Sequence, residues 1–378
     1  MVLVSLVVAA CWHGIGSAST AADTLESAAF PKAQRQETAS RVAGPDQCFV
    51  TDSDAGPANV EPGPCAMGCR SGCSHCDLDD SSLAACWPQL YGGADFLLVR
   101  AHFSEAIAFA KFTDSLVGGL PNEQSQAEEL NFAYDPAFRA YLGYHLNRCT
   151  GMQFSYLHID TSVAVNGSVG QANQFIIDPF GNRADVGQSI QTDAQVNLNA
   201  YDFDFVKSLD FGQACLGIRL AGGVRFADVR QSYGSQILAA NANVLTSGTF
   251  DTHFLGVGPH LDLQAQVRRC SDSPLSLLAR GGASFLVGSY DVESGVTITG
   301  VAGGGQSVSR TLTVPVLEAE LGVVWQPSAR FTAAAGWFVQ TWSDLGTSGG
   351  TFGGRFVEAD DANIMAFDGL FVRAMLQY

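Results

Sequence analysis

Charge is what this sequence has least of. Charged residues make up 15% of its 378 positions, against roughly a quarter in an average soluble domain. Lysine is confined to Lys32, Lys111 and Lys207, and 20 basic residues face 37 acidic ones, for a net charge of -17. A nucleic acid or an anionic lipid surface needs a basic face, so neither is expected as a partner. Long apolar runs are also missing. Past the first 22 residues no stretch approaches the roughly 18 apolar residues of a membrane-crossing helix. The one G-x-S-x-G string, "GTSGG" (346–350), falls in a connection expected between two strands and not in the strand-to-helix turn such a nucleophile needs. The close His–Asp neighbours, "HID" (158–160) and "DTH" (251–253), are what seven histidines produce by chance. No enzyme activity, cofactor or metal is expected.

The start, "MVLVSLVVAACWHGIGSASTAA" (1–22), is a short apolar run followed by small residues, which reads as an export signal. It lacks the usual positive start, since the first basic residue is Lys32. "VAAC", ending at Cys11, also resembles a lipoprotein signal, and whether Cys11 is lipidated stays open. Residues 23–88 are rich in Ala, Ser, Pro, Gly and Asp, show no apolar periodicity and hold Cys48, Cys65, Cys69, Cys73, Cys76 and Cys86. They read as an irregular periplasmic extension without a core of its own. "CAMGCRSGCSHC" (65–76) has thiols close enough for zinc. In an exported chain, disulfides are the default.

From about residue 89 to 378 the texture is alternation. In "LGVGPHLDLQAQV" (255–267) Leu255, Val257, Pro259, Leu261, Leu263, Ala265 and Val267 share one face, opposite His260, Asp262, Gln264 and Gln266. Period two over so long a stretch is a strand signal. The same pattern occurs at 216–226, 275–287, 315–325 and 330–341, and less clearly at 91–100, 137–148 and 151–160. In "VNLNAYDFDF" (196–205) the apolar face slips, which predicts a β-bulge. Pro259, unable to donate to a ladder, predicts another. The last stretch, "GLFVRAMLQY" (369–378), alternates to Tyr378 and reads as a closing strand that pairs with the first, its terminal aromatic resembling an outer-membrane insertion signal.

Ten strands are thus expected, within a range of eight to twelve. Short connections near 148–150, 208–213, 269–273 and 326–328 alternate with long ones near 101–136, 162–193, 228–252, 291–311 and 343–363. Short turns on one rim and long loops on the other is the organisation of an outer-membrane barrel. The class is all-β: a transmembrane antiparallel β-barrel with a Cys-rich N-terminal extension, in the bacterial outer membrane. Phe205, Trp325, Phe331 and Tyr378 would mark its periplasmic rim. Cys149, Cys215 and Cys270 would lie at that rim too, as candidates to bridge to the N-terminal cysteines.

Residues opposite the apolar faces would line the lumen: Asp202, Asp204, Arg219, Arg225, His260, Asp262, Arg280, Glu318, Glu320, Arg330 and Arg373. Two readings stay open for them. They form a charged constriction that selects small solutes, or a salt-bridged network that fills a narrow lumen.

Several segments resemble the Legionella-type pore-forming outer-membrane proteins: "YGGADFLLVR" (91–100), "FRAYLGYHL" (138–146), "GGVRFADVRQSY" (222–233), "GVGPHLDL" (256–263), "VPVLEAELGV" (314–323) and "FDGLFVRAML" (367–376). The resemblance spans about 91–378 and leaves out the Cys-rich segment. It implies a porin-like role, passive diffusion of small solutes or ions, and supplies no catalytic residue. The implied partners are outer-membrane lipid, the barrel-assembly machinery and small solutes; the oligomeric state is not legible. The competing reading is a non-conducting structural or surface-binding barrel whose acidic loops, with Glu358, Asp360 and Asp361, meet divalent ions or a partner.

Overall fold

The computed structural model describes residues 90–378, apart from 105–106, 118–119, 148, 212–215, 269–273, 300, 329 and 347–362. The strands, in chain order, are β1 (Leu90–Phe103), β2 (Ile107–Val117), β3 (Leu120–Glu129), β4 (Asp135–His145), β5 (Thr150–Ser168), β6 (Gln174–Ile177) and β7 (Arg183–Ala184). They continue as β8 (Ser189–Phe211), β9 (Leu216–Leu238), β10 (Val244–Arg268), β11 (Leu275–Ile298), β12 (Val301–Trp325), β13 (Phe331–Ser343) and β14 (Ile364–Gln377). Ten of them close into an antiparallel barrel in the order β1-β14-β13-β12-β11-β10-β9-β8-β5-β4. The closing pair is β1 with β14, in register from Tyr91↔Gln377 to Phe103↔Met365. Backbone bonds between Leu90 and Tyr378 extend that ladder by one residue.

The outer face explains why these residues form this wall. Over the half of the barrel nearest the short turns, outward positions are apolar: Phe203 and Phe205 on β8, Val224 and Phe226 on β9, Leu255 to Val267 on β10, Leu317 to Val323 on β12. Leu261 is 68% exposed there. An apolar band facing outward is stable only against lipid, since in water it would forfeit the burial that drives folding. Aromatic residues border the band. Trp325 and Phe331 meet at 6.5 Å near the short-turn edge. At the opposite edge Phe138, Tyr156, Tyr201 and Phe226 form a row across four strands, with successive ring centroids 4.8–6.1 Å apart.

Beyond that row the polarity inverts. The outward positions become His158 and Asp160 on β5, Asn199 and Asn197 on β8, Asp228 and Arg230 on β9, and His253 and Asp251 on β10. The inward ones become Val196, Leu198, Val229 and Phe254, all buried. β8 to β12 are 23–25 residues long, about twice what a bilayer crossing needs. Their far halves stand in water, where an apolar interior and polar exterior is the stable arrangement.

This inversion corrects two expectations. No bulge interrupts 196–205: β8 keeps one register with β5 and with β9 throughout, and its face changes character because the surrounding solvent changes. The segments 228–252 and 291–311, expected as long loops, are mostly strand, with a tight turn at 239–243 and a turn residue at Thr299. The bulge expected at Pro259 is absent as well. Register on both sides of it is unbroken, and the missing N–H shows only as an interruption of the β11 ladder at Gly258 and Pro259. Register shifts sit instead at Val244/Thr246 and Val296/Thr297, close to the far turns.

A second sheet, β3-β2-β6-β7, lies at the far end. Tyr233 of β9 donates its hydroxyl to the Ala108 carbonyl at 2.8 Å. Phe180, in the β6–β7 turn, lies on Gly248 of β10 so closely that a Cβ there would fall 2.2 Å from its ring. Asp178 of the same turn is fully buried and accepts from the Asn182 backbone N–H (2.7 Å), Asn182 Nδ2 (2.8 Å) and Ser235 Oγ of β9 (2.9 Å). The sheet is therefore latched to the wall as a cap.

Candidate functional site in the barrel interior

Within the lipid-facing half, inward positions carry charge, and opposite signs meet. Asp95 of β1 lies between two arginines: Arg139 of β4 reaches its Oδ2 at 2.6 and 2.9 Å, and Arg373 of β14 binds both oxygens at 2.8 and 2.9 Å. Glu320 of β12 accepts from the same Arg139 (2.5 Å) and Arg373 (2.8 Å), and from Arg280 of β11 (2.8 Å). Arg280 also binds Asp262 at 2.6 Å. A second knot centres on Arg225 of β9, which holds Asp202 through Nε (2.5 Å) and Nη2 (2.8 Å) and Glu318 through Nη1. His260 Nδ1 meets Asp204 at 2.9 Å. The register puts them together: on neighbouring strands Asp202 lies opposite Arg225, Arg280 opposite Glu320, and Asp95 opposite both Arg139 and Arg373. Burying charges in a narrow lumen costs several kcal/mol per ion unless every one is paired and hydrogen-bonded, which this weave achieves.

Ten of the eleven inward residues expected from the sequence lie in this layer or at its edge. Arg330 does not. It is exposed in the turn before β13, its backbone carbonyl accepting from Gln377, because the strand begins one residue later at Phe331. Asp95 and Arg139, central here, were missed. Their signal was the alternation of Ala94 and Phe96 around Asp95 and of Phe138 and Ala140 around Arg139, in strands patterned too weakly to assign faces. Arg219 sits at the short-turn side, bonded to Tyr91 and Gln153.

Above the charged layer the lumen is apolar. Leu97, Leu198, Phe254, Leu286, Val316, Phe338, Trp342 and Phe371 are at most 1% exposed, a continuous core that no sequence pattern announced. At the seam between the layers Ser284 Oγ, Gln340 Oε1 and Trp342 Nε1 are buried with no hydrogen-bond partner among the described residues.

Asp202, Asp204 and His260 bring oxygen and nitrogen atoms within 4.8 Å of one another, a spacing a metal could use. The Arg225 guanidinium already supplies the positive charge there, lying 3.4 Å from His260 Nε2, so a cation would have to displace it. The His–Asp neighbours of the sequence do not act as pairs. His158 contacts Asn199 at 2.9 Å and His253 contacts Asp228 at 3.0 Å. Cys149 is buried in the β4–β5 turn. Cys215, Cys270, the six cysteines of 48–86 and the loop with Glu358, Asp360 and Asp361 lie outside the described residues.

A closed antiparallel barrel with an apolar outer band and a charged interior belongs in a membrane. The family model described as Legionella pneumophila major outer membrane protein precursor matches residues 88–377. This chain belongs to that family. It is a protein of the bacterial outer membrane, and the barrel contacts membrane lipid. No curated protein matches it. Among solved structures it is similar to Ail, the attachment invasion locus protein of Yersinia pestis (12% identity, 75% of this chain and 99% of that one, TM-score 0.22). It is also similar to the transport unit of the autotransporter AIDA-I from Escherichia coli (8%, 80% and 92%, TM-score 0.25) and to a Pseudomonas aeruginosa FadL homologue (8%, 76% and 90%, TM-score 0.22). Likenesses at this level carry no argument about function.

Proposed function

We propose that this family member is a sealed outer-membrane barrel at rest, a structural and surface-presenting wall protein, and that it is not an open diffusion pore. One observation carries the reading: the charged layer and the apolar layer fill the cross-section one after the other, with the cap sheet above them. An ion entering would have to break paired, desolvated charges and then cross an apolar core, both costly in a low dielectric.

A porin-like role is the second reading. The sequence resemblance favours it, and so does the seam of unpartnered polar atoms at Ser284, Gln340 and Trp342, where water could enter if the apolar layer shifted. Single-channel recording in a planar bilayer separates the two. The native protein should insert without discrete steps, and the double variant Phe338→Ala, Trp342→Ala should produce them. Reproducible steps from the native protein at modest voltage would restore the passive pore.

The domain plan belongs to the same proposal: an export signal over 1–22, a Cys-rich periplasmic extension over 23–88, and the barrel from 89, inserted by the assembly machinery through its C-terminal strand and Tyr378. The barrel carries no enzymatic role. Mass spectrometry of the unreduced protein should find at least one bridge from 48–86 to Cys149, Cys215 or Cys270; bridges confined to 48–86 contradict that pairing.

A further inference from the structure

Arg219 stands apart from the charged weave. The other inward arginines each hold two or three carboxylates; among the described residues Arg219 has none within ion-pair distance. Its Nη2 donates to the Tyr91 hydroxyl at 3.0 Å and to Gln153 Oε1, two neutral acceptors, and its guanidinium lies 5.8 Å from the Tyr91 ring centre. A guanidinium has five donors in a fixed fork, and these contacts engage a single nitrogen. The support is rigid. Tyr91 is 4% exposed, its hydroxyl donates to Gln153 Oε1 at 3.1 Å, and its ring lies so flat on Gly143 that a Cβ there would fall 2.0 Å away.

Beside Arg219 is a cavity of about 80 Å³ on the short-turn side of the charged layer, lined also by Gln153, Gln264, Gln266 and Thr332. Asp204 and Asp262 border it too. Both are already engaged, by His260 and Arg280. Arg139, Arg280 and Arg373 line it as well, each on carboxylates; among the described residues Arg219 is the cavity's one cation without a carboxylate partner, beside a set of amide and hydroxyl groups. Arg268 and Arg330 stand exposed at the same end of the barrel, where they would draw an anion toward the opening.

We propose that this cavity binds a small oxyanion, a carboxylate or phosphate group of a few heavy atoms that enters from the periplasmic side and is held in the free fork of Arg219. The charged layer bounds the pocket on the side away from the short turns. The assignment holds whether or not the barrel conducts.

The test is isothermal titration of the folded full-length protein in detergent with sodium phosphate and, separately, sodium acetate. At least one should bind saturably to the native protein. Arg219→Gln should weaken that binding by about tenfold or more, as loss of a charge-assisted contact does, while Arg230→Gln on the outer face leaves it unchanged. Binding of phosphate alone points to phosphate esters as the natural ligand; binding of both points to carboxylates as well. Absence of saturable binding, or equal affinity in Arg219→Gln, overturns the site. Should Arg219→Gln not fold, as judged by gel mobility with and without heating, the native protein still decides. Phosphate or acetate should slow butanedione modification of Arg219 while leaving Arg230 unprotected, and rates that neither anion changes overturn the proposal.

Discussion

Arg225 is 2% exposed and bonds Asp202 and Glu318 together. Replacing it with methionine keeps much of the volume and strands two buried carboxylates. The loss should be about 3–5 kcal/mol, read from denaturant unfolding of the barrel in lipid vesicles. Adding Asp202→Leu and Glu318→Leu should recover most of it, because then no unpaired charge remains; a triple variant as weak as the single one would contradict that account. Asp178 offers a residue-scale test outside the membrane. Burial pushes its carboxyl above the usual carboxylate range, against the pull of its hydrogen bonds from Asn182 and Ser235. The folded cap therefore holds the proton more tightly than the unfolded chain does. Docking is strongest below the ordinary carboxylate range and weakens as pH rises through the raised value. Amides of β2 and β6, corrected for intrinsic exchange, should be better protected at about pH 3 than at about pH 7. Asp178→Asn should flatten that difference.

A single strand crosses two solvents. On β10 the outward Leu261 faces lipid, and on β8 the outward Gln195 faces water, although both are outward positions of the same wall. Leu261→Arg should cost about 2–4 kcal/mol. Gln195→Arg should stay within about 0.5 kcal/mol, as surface changes in water do. Equal costs, measured by the same vesicle unfolding, would remove the boundary drawn at the aromatic row of Phe138, Tyr156, Tyr201 and Phe226. The element scale is also where sequence reading went wrong. Residues 228–237 and 289–298 alternate as well, but with polar residues outward, and 303–311 are exposed on both faces. A pattern sought as apolar-out passes over them and leaves loops. The supposed slip at 196–205 is the same inversion seen within one strand.

For the whole molecule, the proposed seal rests on strand number and filling together. Ten strands enclose a narrow lumen, and this chain lines it with paired charge toward the short turns and with Leu97, Phe254, Phe338 and Trp342 toward the cap. The conductance experiment belongs to this scale, since neither layer alone settles whether a path exists.

From its sequence alone this chain was already an exported antiparallel barrel of ten strands, closed by "GLFVRAMLQY" on "YGGADFLLVR" and carrying its charges inward. Period-two alternation is a local property, so composition and spacing suffice to read it. Tertiary structure alone decided that Asp95 and Glu320 share Arg139 and Arg373, that the far half of the lumen is an apolar core, that the β6–β7 turn latches a cap onto β9 and β10, and that among the described residues Arg219 is left without a carboxylate. Each of those depends on which inward side chains meet across strands far apart in sequence. Register and barrel closure set that meeting, and no single strand carries them.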